Sequence, residues 1–308
     1  MSRSTISMFE LFAMVPDAET ARLYLEARRW PNGVICPTCG TQQSITPRKK
    51  GVYRCNPCKL DFTIRTGSIF ERSHIPLHKW MYAMYLVVTA RKGISSMQLA
   101  KEIGITQKSA WFMLQRLREA CGDDSTTPTK LFGVVEVDET FVGGKEKNKH
   151  AKKKLNAGRG TVGKTVVMGL RQRGGRTIAK IIKNTTRTVL QGTVQALVAP
   201  GSVVCTDEAY GYVGLRGTAY DHLTVMHSAG EFHRDGIHTN GIESVWALLK
   251  RGIVGVWHQV SAKHLDRYVN EVTFRLNDAN VKDHTLIRLN NFIAAADGKR
   301  LTYARLIA

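Results

Sequence analysis

Apolar residues recur along this chain in two rhythms, and the change from one to the other divides it. Residues 9 to 30 place them at helical spacing, with Phe9, Leu11, Phe12 and Met14 before Pro16 and Ala21, Leu23, Tyr24 and Leu25 after it. From Pro31 to Gly67 the texture turns to Gly, Pro, Thr and Cys with short β-like pieces, Gly51-Val-Tyr-Arg54 and Phe62-Thr-Ile64. Helical spacing returns from Ile75 to Cys121 and stops at a polar linker, Asp123-Asp-Ser-Thr-Thr-Pro-Thr129, the clearest domain boundary. Beyond it, Leu131 to Val137, Thr165 to Leu170, Thr177 to Ile182 and Val203 to Thr206 read as strands. Thr188 to Leu197, Gly241 to Arg251 and Ala262 to Leu276 read as helices. Three strands, a helix, a strand and later helices predict an α/β domain with a mixed sheet.

Composition narrows the class. A length of 308 residues suits two or three domains, and a 43% hydrophobic share suits a folded chain. The longest apolar stretch, Trp80 to Ala90, is too short to span a bilayer. The first twenty residues do not read as a signal peptide, so a cytoplasmic location is expected. The excess of 45 Lys and Arg over 25 Asp and Glu, a formal charge of +20, points to nucleic acid before any other partner. With no lipidation motif or basic amphipathic tail, a membrane partner is not expected.

Four of the six cysteines cluster as Cys36-Pro-Thr-Cys39 and Cys55-Asn-Pro-Cys58, fifteen residues apart. Each C-x-x-C makes a tight turn that aims two sulfurs at one point, and two such turns complete the tetrahedral thiolate set that zinc prefers. A structural Zn²⁺ holding a core-poor ribbon is therefore expected over residues 31–68. A thioredoxin-like redox pair would leave the second C-x-x-C unexplained. Cys121 and Cys205 read as buried small apolar residues.

Within residues 75–122, Ser95 or Ser96 can cap a helix through Ile103, Gly104 makes a turn, and Thr106 caps a second helix to about Ala120. Ala110, Trp111, Leu114 and Leu117 share one face of that second helix, leaving Gln107, Lys108, Gln115 and Arg118 on others. In a helix-turn-helix, early residues of the second helix reach base edges, which nominates Gln107 and Lys108. An ordinary helical hairpin is the alternative; the basic charge and the neighbouring zinc ribbon favour DNA.

The chemistry is expected in the α/β domain. Leu131-Phe-Gly-Val-Val-Glu-Val-Asp138 and Val203-Val-Cys-Thr-Asp207 are both apolar strands that deliver a carboxylate at the tip. A carboxylate there is costly unless partnered, and a divalent cation is a natural partner. Thirty-six positions after Asp207, Glu243 lies in a helix whose buried stripe is Ile242, Val245, Trp246 and Leu249. Asn240, Glu243, Ala247 and Lys250 line one flank, so Glu243 can face the strand tips while Lys250 reaches a phosphate. Glu136 shares a strand face with Asp138, and Glu139 and Glu208 follow the two aspartates; these three are expected outside the metal-contacting set or in solvent. Three carboxylates can hold two Mg²⁺ or Mn²⁺ ions for in-line displacement at phosphorus.

The order of zinc ribbon, helix-turn-helix, Asp138-Glu-Thr-Phe-Val-Gly-Gly-Lys145, Thr206-Asp207-Glu-Ala-Tyr210 and Asn240-x-x-Glu243-x-x-Trp246-x-x-x-Lys250 resembles the zinc-ribbon DDE transposases of bacterial insertion sequences, closest to the ISXO-like group. The resemblance spans the chain from the first cysteine pair to at least Lys250. It implies an RNase H-like catalytic fold over residues 130–280, with a helical segment over 1–30 ahead of the ribbon and a C-terminal extension over 281–308. It also implies divalent-metal dependence, DNA partners at the transposon ends and target, a homo-oligomeric active complex, and a nucleoid-associated enzyme. Asn240 competes with Glu243 for the third metal contact; a carboxylate binds a hard cation better than an amide, which favours Glu243.

Lys145, Lys147, Lys149, Lys152, Lys153 and Lys154 crowd a Gly- and Lys-rich insert between the first two strands. Such runs are often only solvated, but directly after a catalytic strand this one is expected to track DNA phosphates. His233 and His238, ahead of the third motif, are expected in structural or surface roles. A non-catalytic DNA-binding regulator and a nuclease without strand transfer are the rival readings. A regulator has no need of carboxylates on apolar strands.

Overall fold

The computed structural model describes residues 5–122, 129–144, 148, 150–155, 160–215, 217–226, 234 and 236–308. The chain forms two compact units, Met1–Gly122 with Asp278–Ala308, and Asp123–Asn277.

The first unit opens with α1 (Met8–Met14) and α2 (Ala18–Arg29). Ser7 and Glu10 close a reciprocal capping box on α1, and Asp17 caps α2 by accepting from the Glu19 and Thr20 backbones. A three-stranded antiparallel sheet follows, β1 (Ile45–Lys49), β2 (Val52–Cys55) and β3 (Leu60–Phe62). The apolar run near Trp80 becomes α3 (Leu77–Thr89), a core helix that buries eight residues, among them Trp80, Met81 and Met84. Two further helices, α4 (Ser96–Ile103) and α5 (Gln107–Ala120), form within the expected limits. Ser95 caps α4, Gly104 turns the chain at φ +60°, and the Thr106 hydroxyl caps α5 by accepting from Ser109.

The second unit is an α/β layer structure. Its strands are β4 (Val134–Val142), β5 (Thr165–Gln172), β6 (Thr177–Ile182), β7 (Val203–Thr206) and β8 (Asp221–Thr224), in the order β6-β5-β4-β7-β8. The pairs β6–β5 and β5–β4 are antiparallel, while β4–β7 and β7–β8 are parallel. The sheet is therefore mixed, as the order of elements predicts. Helix α6 (Arg187–Leu197) packs on one face, where Val135, Val137, Met168 and Leu170 meet Leu190, Val194 and Leu197. Helices α7 (Asn240–Gly252) and α8 (Leu265–Asn277) cover the other, where Val142 and Val167 meet Ile242, Trp246, Val269 and Val272. Opposite faces of one strand thus feed two cores, as period-two alternation requires.

One expected boundary differs in a way that matters. Gly133 adopts φ +71°, a left-handed kink that interrupts extended backbone after Leu131. The strand therefore starts at Val134 and pairs with β5 without a break from Val135 to Val142. Asp138 stands in the middle of β4, not at its tip.

The chain's last part returns to the first unit as α9 (Thr285–Ala295) and α10 (Tyr303–Ile307). Buried arginines fasten it there. Arg116 donates to the Leu301, Ile69 and Glu71 carbonyls, and Arg288 on α9 donates to the Val88 carbonyl. Among the described residues, no helix is long and apolar enough to cross a membrane.

Candidate active site

The zinc ribbon can be built from its turns. Gly40 donates to the Cys36 carbonyl and takes φ +73° to close the first knuckle; Lys59 takes the matching left-handed conformation at φ +54° after the second. The strands then bring the four sulfurs of Cys36, Cys39, Cys55 and Cys58 all within 4.8 Å of one another. Burial works to push the Cys36 thiol up, but backbone N–H groups of Cys39 and Thr38 and the neighbouring thiols hold it down to about 7. The Cys39 and Cys55 thiols push Cys58 up to about 12. Sulfurs so crowded resist carrying several negative charges together, a conflict that a tetrahedral dication removes. The donor set fits structural zinc.

On the sheet, three acids converge by three different routes. Asp138 pairs across to Gly169 and so faces the α7 side. Asp207 follows the last residue of β7; two residues short of it, Cys205 pairs with Glu136 in parallel register, so continuing the register sets Asp207 beside Asp138. Glu243 lies in the first turn of α7, with the Thr239 hydroxyl donating to it at 2.9 Å. Burial first, then the Asp207 carboxylate, pushes the Asp138 pKa up to about 6; the Glu243 charge adds to the push. Opposing them, the indole N–H of Trp246 donates to Asp138 at 2.9 Å. Asp207 in turn accepts from the Ala209 backbone at 3.0 Å.

The buried stripe of α7 is the expected one, Ile242, Val245, Trp246 and Leu249, while Asn240, Glu243 and Lys250 are exposed along the flank. Past Gly252, where α7 ends, the helical path continues as a π-helical turn, Ile253–Trp257. The three carboxylates are in electrostatic reach but do not close into a cage. Among the described residues, the four cysteines are the only group of three or more His, Cys, Asp or Glu side chains gathered tightly enough to grip an ion.

The neighbouring acids separate more sharply than alternation alone suggested. Glu136 is 1% exposed, and Arg173 pairs with it at 2.8 Å. It is not a solvent residue. Glu139 faces the α6 side, where the Tyr212 hydroxyl donates to it; burial, then Asp138 and Asp207, pushes its pKa up to about 8. Glu208 alone of the three is exposed. Sequence reasoning also passed over Gly169. An added Cβ there would lie 2.6 Å from Ile242 and the Trp246 ring, so its bareness lets α7 approach the sheet. A glycine inside an apolar strand is the signal that marks such an approach.

The DNA-binding candidates fare unevenly. Gln107 and Lys108 are exposed on the first turn of α5, yet the Gln107 amide donates to Ser96 and the Lys108 ammonium lies 5.5 Å from the Tyr303 ring centroid. Gln115 and Arg118, placed off the apolar face of α5, are nonetheless buried. Lys152 is exposed within the short 3-10 turn Ala151–Lys153, and Lys154 is exposed just after it. Lys145, Lys147, Lys149 and the side chain of Lys153 lie outside the described residues, as does His233.

One chain thus carries a mixed five-stranded sheet with acids at two neighbouring strands and a covering helix, and a four-cysteine ribbon, and two transposase domain families match these same parts. The ISXO2-like transposase domain family matches residues 130–277, and the transposase zinc-ribbon domain family matches residues 16–61. A Halobacterium salinarum protein described as uncharacterized, in transposable element ISH50, is 30% identical over 260 residues, 79% of this chain and 85% of that protein. An uncharacterized transposase-like protein of Haemophilus influenzae is 25% identical over 107 residues, 35% of this chain and 85% of that protein. The chain belongs to the zinc-ribbon DDE transposases of the ISXO-like insertion-sequence group.

Proposed function

We propose that this transposase binds the terminal inverted repeats of its insertion sequence, cuts the DNA at those ends and joins the freed 3′ ends to target DNA. The observation that supports the chemistry is that burial, together with Asp207 and Glu243 within electrostatic reach, raises the Asp138 pKa to about 6. Two antiparallel pairs followed by two parallel ones support an RNase H-like reading of this unit. Carboxylates that oppose each other's ionisation fit a divalent cation, and oxygen donors suit Mg²⁺ or Mn²⁺. The chemistry such a bound cation supplies is activation of a hydroxyl nucleophile and stabilisation of the leaving oxygen at phosphorus.

The chain's own groups set the geometry. Trp246 orients the Asp138 carboxylate, the Ala209 backbone orients Asp207, and Thr239 orients Glu243. Asn240, exposed one turn before Glu243, is the competing third contact. Lys250 lies two turns past Glu243 on the same flank and takes a phosphate oxygen. The first turn of α5, with Gln107 and Lys108, reads base edges in the manner of a helix-turn-helix. The lysines of the insert, Lys145 to Lys154, follow the phosphate backbone. The active complex holds more than one copy of the chain.

The test uses the full chain and duplexes taken from the DNA flanking its gene. With Mg²⁺ or Mn²⁺, cleavage at the ends followed by joining to a second duplex is expected. Asp138→Asn or Asp207→Asn should abolish cleavage while end binding persists. Cleavage retained by both variants sinks the assignment, and cleavage without joining makes the protein a nuclease.

A further inference from the structure

Two residues before Asp138 on the same strand face stands a carboxylate with no place in the chemistry above. Glu136 is 1% exposed, and burying a charge so deeply is costly unless each oxygen finds a partner. Its partners all belong to one task. Oε2 accepts from the backbone N–H of Ile242, in the first turn of α7, at 2.9 Å. Oε1 accepts from Arg173 at 2.8 Å, and His238 Nδ1 stands 3.2 Å from it. Arg173 in turn donates to the Gly236 and His238 carbonyls, on the approach to α7, at 2.6 and 2.9 Å.

The helix has few other means of starting where it does. Thr239 occupies its N-cap position without capping it, because its hydroxyl is turned to Glu243. A helix start exposes N–H groups and partial positive charge, and a carboxylate is the usual answer when it comes from the cap residue itself. Here it comes from a strand 106 positions earlier in sequence. The fit is close: a Cβ on Gly241 would lie 2.4 Å from Oε2, so any larger residue there would have to displace the Glu136 carboxylate from its partners.

We propose that Glu136 is a positioning residue, a buried tertiary cap that pins the start of α7 to β4 and thereby sets Asn240 and Glu243 against Asp138. The inference rests on the reading of Asp138, Asp207 and Glu243 as a divalent-metal site. The sheet otherwise holds the helix near the acids through Trp246, one turn further on, and through Arg171 of β5, which donates to the Gly241 carbonyl and the Ser244 hydroxyl. Glu136 reaches a backbone N–H of the helix start from β4. The cap fixes the end of the helix that carries the third ligand.

Hydrogen exchange and Mn²⁺ titration of the zinc-loaded full chain test this together. In Glu136→Ala, peptides covering 236–246 should lose protection while those covering β5 and β6 keep it, and Mn²⁺ affinity should fall about tenfold or more. Glu136→Gln keeps an oxygen for the Ile242 N–H and should restore much of both. Normal protection in Glu136→Ala overturns the proposal. So does lost protection with unchanged Mn²⁺ affinity, or a Gln variant as defective as Ala. If Glu136→Ala does not fold, the comparison of Glu136→Gln with wild type decides: loss of β5 and β6 protection in step with 236–246 overturns it. Asp138→Asn separates the two readings, because Mn²⁺ bound as tightly as by wild type would remove the metal site while exchange still reports the cap.

Discussion

Gly169 sits across the β4–β5 ladder from Asp138, and its missing side chain is a space that α7 fills. Replacing it with alanine adds one methyl group. That carbon would lie 2.6 Å from Ile242 Cδ1 and from Trp246 Cη2 and Cζ2, whereas ordinary contact begins at 3.4 Å. The isoleucine methyl can swing aside, but the indole is rigid, and its ring nitrogen, two bonds from Cζ2, is tied to Asp138. Helix α7 must therefore recede by several tenths of an ångström to about 1 Å, and overpacking of this size costs about 1–3 kcal/mol. Opposing it, alanine in place of a mid-strand glycine contributes about 0.5–1 kcal/mol of stability. The steric term wins because the obstacle is a ring on a pinned helix. A net loss of about 1–2 kcal/mol lowers the melting temperature of a unit this size by about 2–8 °C. Recession also stretches the Trp246–Asp138 hydrogen bond, so Mn²⁺ affinity should fall with it. Thermal unfolding of the full chain checks this against Gly192→Ala on α6, where an added Cβ meets nothing within 4 Å and stability should rise slightly. If Gly169→Ala melts at or above the wild-type temperature, the close approach of α7 is refuted.

Two other outcomes follow from the charges and the ribbon. Asp138 has a folded pKa of about 6 against an ordinary 3.8, so the folded state binds its proton more tightly than the unfolded one. The penalty is absent below pH 4, grows between pH 4 and 6 and is complete above. In buffer free of Mg²⁺ and Mn²⁺, Asp138→Asn should therefore raise stability by up to about 3 kcal/mol at pH 7 and by almost nothing at pH 4. A difference that stays constant across that range, read from denaturant unfolding, contradicts the burial and repulsion assigned to this acid. Replacing Cys36 and Cys39 by serine should remove bound zinc and unfold the 31–68 module; unchanged zinc content by atomic absorption would contradict the four-thiolate site.

The sequence alone determined what depends on local pattern. Two C-x-x-C turns specify a zinc site because each knuckle is closed by its own backbone, as the Cys36–Gly40 bond illustrates. The caps at Ser95 and Thr106 and the buried stripe of α7 were legible for the same reason: spacing along one helix decides them. Four strands of the mixed sheet, β4 to β7, were legible as apolar runs and Asp138 and Asp207 as acids at those runs, whereas β8, Asp-His-Leu-Thr, carries no such run and was not.

Position across strands was a different matter. That Asp138 lies mid-strand depends on a kink at Gly133 and on a partner strand that pairs as far as Val142, neither of which the apolar run announces. Glu136, expected outside the metal-contacting set or in solvent, is 1% exposed, and a helix 106 positions away donates a backbone N–H to it. Gln115 and Arg118 lie off the apolar face of α5, yet tertiary packing of their unit buries both. Each of these was decided by where a distant segment packs. A residue's partners within one turn are written beside it, whereas partners across a sheet exist only once the sheet has formed.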